Sequence, residues 1–146
     1  MRTLRPWIIV SWIALPAVMF GGSSLLRRLS ADDLTPFQMT WLRAFHAHGG
    51  VLFLMSLLYY IFLDQTHLPV SAKRIGCVAL FGGIGMLTGG FLLHAILGAP
   101  GAYSIGTFFS VAGAGLLASA LILLVYGLMT MPSSHSHAAS GGDATL

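Results

Sequence analysis

Three histidines and one arginine pose the chemical question. The segment Trp41-Leu-Arg-Ala-Phe-His-Ala-His-Gly-Gly-Val51 carries Arg43, His46 and His48 inside an apolar stretch, and His94 lies inside another. Ionisable side chains at membrane depth are costly and usually face a bundle interior or a cavity. Two imidazoles facing each other across adjacent helices can hold a b-type haem. Gly90 and Gly83 share a face with His94 and would leave room there for a flat group. Arg43, one turn outward from His46, could pair with a haem propionate. Neutral imidazole also suits copper or zinc, and Met19, at a similar level in the first apolar run, biases that choice toward copper(I).

Helical geometry limits these pairings. At about 100° per residue, His46 and His48 stand ~200° apart, so they cannot grip one ion together. His46 shares a face with Arg43, Gly50 and Phe53, and His48 with Trp41, Phe45, Met55 and Tyr59. At most one of the two points at the bundle axis. The plainer expectation is that the histidines only hydrogen-bond neighbouring helices while Arg43 snorkels to the surface.

The elements that must position these groups are set by composition. Among 146 residues, charged side chains are 8%, hydrophobic ones 56%, and Glu is absent. A soluble domain carries roughly 25% charged residues; eleven charges cannot cover a water-facing surface of this size, and a bilayer demands no such cover. The eighteen glycines suit helices that approach closely in lipid. The expected fold is all-α, a four-transmembrane-helix bundle running up-down-up-down.

Punctuation places the spans. The first covers about 7–26, contains Pro16, which should kink it, and ends at Arg27-Arg28. Arg2 and Arg5 before an apolar run imitate a signal peptide, but Met19 and Phe20 stand where small cleavage-site residues would be expected, so a retained span is the reading. The second covers 36–63 and opens on Thr35-Pro36-Phe37-Gln38, a capping pattern. The third covers 72–98, with Ser71 as its cap and Lys73-Arg74 in its first turn. The fourth covers 104–131. Residues 1–132 form one membrane domain, and 133–146, polar and small, read as a disordered tail.

Charges and aromatics suggest an orientation. Arg2, Arg5, Lys73 and Arg74 on one side outnumber Arg27, Arg28 and Arg43 on the other, which favours both termini in the cytoplasm of a bacterial inner membrane. Trp7, Tyr59, Tyr60 and Tyr126 would mark one interface, and Trp41 and Tyr103 the other. These cations read as membrane anchors and not as a nucleic-acid stripe. Cys77 is alone and cannot form an internal disulfide.

Other patterns carry less. Gly83-Ile-Gly85-Met-Leu-Thr-Gly89 imitates a dinucleotide fingerprint, but no strand precedes it and the last spacing is one residue too long. Gly85-x-x-x-Gly89 instead predicts a close-packing face, opposite Ser110-x-x-x-Ala114-x-x-x-Ala118. Asp32-Asp33 read as a solvated charge cluster, His67 as a loop residue, and His135-x-His137 as part of the tail. Phosphate loops, a Ser/His/Asp arrangement, a carboxylate dyad and a CxxC pattern are all missing, which argues against a hydrolase or an ATP-driven pump.

The run from Arg43 to Val51, Arg-x-x-His-x-His-Gly-Gly-Val, resembles the signature of a group of small, uncharacterised bacterial four-helix membrane proteins. In them His-x-His opens the second span and another His falls late in the third. An Arg followed by His near a span's start also resembles, remotely, a haem-bearing helix in the catalytic subunit of haem-copper oxidases and nitric oxide reductases. That subunit has many more spans and a full metal-ligand set, so reduction of oxygen or nitric oxide does not follow. What the resemblance implies is haem b held by His94 and by His46 or His48, with Arg43 nearby. The resulting expectation is a redox-associated, electron-carrying or gas-sensing protein, more a subunit than an enzyme by itself. A metal site at His46, His94 and Met19 is the variant of that idea. The competing expectations are a non-catalytic membrane subunit or assembly factor with structural histidines, and a small metal or proton conduit. Partners would be the bilayer and either respiratory-chain or other membrane proteins, or further copies of the chain.

Overall fold

A computed structural model describes residues 4–131, and within them the chain is all-helical. Four helices follow in order: α1 (Arg5–Ser30), α2 (Pro36–Gln65), α3 (Val70–Leu97) and α4 (Ile105–Met129). Each is long and apolar enough to cross a bilayer. At ~1.5 Å per residue they extend past a ~30 Å hydrocarbon core, so their ends stand in the interface. The tail with His135-x-His137, and Arg2, lie outside the described residues.

The helix ends obey local chemistry. α2 starts on the expected capping box: Thr35 Oγ1 accepts from the Gln38 N–H at 3.2 Å, and Gln38 Oε1 accepts from the Thr35 N–H at 3.1 Å. α4 starts the same way, with Ser104 Oγ accepting from the Gly106 N–H and Thr107 Oγ1 accepting from the Ser104 N–H. Ser71 is not the cap of α3. That helix begins two residues earlier, with Pro69 in the extended cap conformation and no side-chain cap. Lys73 serves its neighbour instead, donating from Nζ to the carbonyls of Asp64 and Thr66 at 2.9 and 2.8 Å and so closing the C-terminal end of α2. α1 runs on as one helix through Pro16.

Packing decreases along the chain from its C-terminal end. α3 and α4 form the tightest pair, α2 packs on α3, and α1 packs on α2. α1 is the least buried span, and neither α3 nor α4 packs along it. It meets α3 through Trp7, whose ring lies 5.7 Å from that of Phe81.

Glycines explain the tight pair, in a different register from the one the sequence suggested. Gly85 and Gly89 face open space, and Ala114 and Ala118 are exposed. The contact runs instead through Gly83 and Gly90 on α3 against Gly106, Ser110 and Gly113 on α4. A Cβ on Gly83 would stand 2.9 Å from the Leu117 nitrogen, and one on Gly90 would stand 2.6 Å from the Gly106 carbonyl oxygen. Backbone lies against backbone, and Ser110 Oγ donates across the seam to the Leu87 carbonyl at 3.2 Å.

The core differs from the expected aromatic belts. Tyr59 and Tyr60 are 4% and 0% exposed and belong to the core with Leu63, Cys77, Leu80 and Ile84. They are not interface anchors. Tyr59 Oη donates to the Ala120 carbonyl at 3.1 Å, crossing from α2 to α4. The hydroxyls of Ser11 and Ser56, 2.8 Å apart, tie α1 to α2 beside Tyr60.

Candidate functional site

The three membrane histidines occupy three separate settings. His94, in the last turn of α3, is 5% exposed. Its Nδ1 is 2.6 Å from Ser104 Oγ and 3.4 Å from Thr107 Oγ1. The Ser104 hydroxyl accepts from the Gly106 N–H and keeps both a second lone pair and its own proton, so it can partner Nδ1 in either tautomer. Trp41 meets the His94 ring edge-on at 4.5 Å between centroids, and Phe37 does so at 5.2 Å. Gly98 leaves the ring its room, since a Cβ there would stand 2.8 Å from Cε1. His94 thus joins the end of α3 to the cap of α4 and to the first turns of α2.

His48 hydrogen-bonds within its own helix, where Nδ1–H donates to the Ala44 carbonyl at 2.9 Å. The ring is exposed at the protein surface and packs edge-on against Phe91 at 5.1 Å. Phe91 in turn touches Trp41 at 5.7 Å. The aromatic sequence His48, Phe91, Trp41, His94 therefore puts two rings between the two imidazoles.

His46 points the other way, toward α1. Its ring rests over Gly22, where an added Cβ would fall 2.7 Å from Nε2. It has no hydrogen-bond partner among the described residues. On the face bounded by α1 and α2 alone, His46 lines a groove with Arg43 and Met19, the latter 73% exposed. On the side that reaches α3 it lines a second cavity with Ser24, Arg28 and Gln38.

These positions decide which sequence-predicted groups meet. Met19, Arg43 and His46 share one groove. His94 stands apart from them in a recess with Phe37, Trp41 and Thr107 beneath the 100–103 loop. Trp41 and Phe91 lie between His94 and His48, and His94 and His46 line different cavities. Gly90 and Gly83 receive the backbone of α4, which takes the space a flat group would need. His46 meets α1 at Gly22, and His48 meets α3 at Phe91. Among the described residues no three His, Cys, Asp or Glu side chains gather as a metal-ligand set.

Two residues of this region escaped the reading by type. Arg28 looked like an interfacial anchor and Gln38 like a capping residue, yet both line the cavity behind His46. The signal available was their position, on facing helix ends joined by a five-residue loop. No family model, curated protein or solved structure matches this chain.

Proposed function

We propose that this protein is a non-catalytic membrane subunit or assembly factor in which His94 is a structural tie. The observation that carries this reading is the His94 Nδ1 to Ser104 Oγ contact at 2.6 Å within a Trp41–Phe37 enclosure. A buried imidazole with such a partner has its polar need met, and in lipid that is a common way to register helices. Short connections and a thinly packed α1 suit a chain that works inside a larger membrane assembly. Protein purified in detergent after expression with ample haem is expected to show no Soret band and no stoichiometric copper, zinc or iron. A Soret band that vanishes in His94→Ala would overturn the structural reading.

A redox reading rests on His46 instead, because Met19, Arg43 and His46 line one groove. There His46 and Met19 would hold haem b or copper(I), and Arg43 would lie near a propionate. A Soret band or bound copper lost in His46→Ala and retained in His94→Ala would put this reading in place of the first.

The charge asymmetry supports both termini on the cytoplasmic side of a bacterial inner membrane. A periplasm-dependent phosphatase fused to the C-terminus should stay inactive; an active fusion reverses the orientation.

A further inference from the structure

We propose that the cavity between α1, α2 and α3 binds a membrane-dissolved amphiphile with a neutral, oxygen-bearing ring head of the quinone type. This goes beyond the subunit reading and does not depend on it. The cavity has a volume of about 300 Å³ and is walled by apolar side chains such as Leu25, Phe45 and Leu92. Its polar side chains are Ser24, Arg28, Gln38 and His46, with no carboxylate among its lining residues. Ser24 is spent on the Phe20 carbonyl. The other three can donate into the space.

Each donor is free for a stated reason. The capping box holds Gln38 Oε1 on Thr35, which turns the amide NH2 away from its own helix start. The Arg28 guanidinium has no ion pair and the His46 ring no hydrogen bond among the described residues. A mostly apolar pocket with a few convergent donors selects an apolar body bearing acceptor oxygens. Depth narrows the head group. Arg28 and Gln38 stand at helix ends, whereas His46 lies eight residues inward, ~12 Å along the axis. A phosphate would remain at the outer level with Arg28. A neutral carbonyl can travel to His46 at much smaller desolvation cost. The exit also fits: α1 and α3 do not pack along each other, so an isoprenoid tail can leave sideways between them into the acyl chains.

Equilibrium dialysis of the detergent-solubilised full chain against a short-chain ubiquinone tests this. Saturable binding near one per chain is expected, weakened about tenfold in His46→Leu, the loss of roughly one hydrogen bond. Gly21 lines the cavity and an added Cβ there meets nothing within 4 Å, so the side chain of Gly21→Leu starts in open space at the cavity wall. It should weaken binding while thermal unfolding stays as in the wild type. Absence of saturable binding overturns the proposal, and so does equal affinity in wild type, His46→Leu and Gly21→Leu. Displacement of the quinone by phosphatidylglycerol but not by phosphatidylcholine, at equal micellar concentration, would mean an anionic head and overturn it as well.

Discussion

Gly113→Ala is expected to destabilise the protein by about 3 kcal/mol, near the upper end for overpacking a close-packed interface. The added methyl would fall on the backbone of α3, at the Leu87 nitrogen and 2.8 Å from the Gly83 carbonyl oxygen. Neither atom can rotate away, so α4 must retreat as a whole. Retreat also loosens the Ser110–Leu87 hydrogen bond and the approach of Gly106 to the His94 backbone. Gly90→Ala and Gly106→Ala should act in the same direction, because each Cβ would again meet backbone. Gly85→Ala and Gly115→Ala meet nothing within 4 Å and should be neutral or stabilising by up to about 1 kcal/mol, since Ala outranks Gly in a helix interior. Thermal unfolding in one detergent measures all five. Loss of stability at Gly85 with tolerance at Gly113 would mean that α3 and α4 pack in another register.

The second large effect belongs to His94. His94→Ala is expected to cost about 2–3 kcal/mol, from a cavity left between Trp41 and Phe37 together with loss of the hydrogen bond to the Ser104 hydroxyl. His94→Phe fills the cavity but does not restore the bond to Ser104, so it should recover only part of the loss. Ser104→Ala removes a cap and the same hydrogen bond, for about 1–2 kcal/mol. His48→Ala removes an exposed ring bonded within its own helix, and its effect should be small. Near-UV circular dichroism reports Trp41 and checks that the loss arises at this corner.

The helices were legible because membrane spans announce themselves by length and apolarity, and the cap at Thr35 and Gln38 by residue type. Facing was not. A span that is apolar all round carries no stripe to say which side is buried, so Gly85-x-x-x-Gly89 looked as good as the seam through Gly83 and Gly90. The seam follows from α4, whose Gly106, Ser110 and Gly113 choose their partners only in three dimensions. Tyr59 and Tyr60 misled for a related reason. An aromatic pair near a span end resembles an interface belt, and only the packing of α3 and α4 turns it into core.

The site was half legible. Sequence spacing separated His46 from His48 by angle, and the structure sends them to α1 and to Phe91. It also placed Met19, Arg43 and His46 at one level, and they share a groove. The partner of His94 could not be read, because Ser104 looked like a cap and nothing more. A serine that both caps a helix and bonds a histidine ten residues earlier depends on the 98–104 connection, whose shape no periodicity encodes.

The central claim is that His94 and Ser104 act as one tie between α3 and α4. A double-mutant cycle on thermal or denaturant unfolding of wild type, His94→Ala, Ser104→Ala and the double variant measures it directly. The account predicts a coupling of about 1 kcal/mol or more, with the double variant little worse than His94→Ala alone. Additive losses, with coupling within about 0.3 kcal/mol of zero, would contradict it.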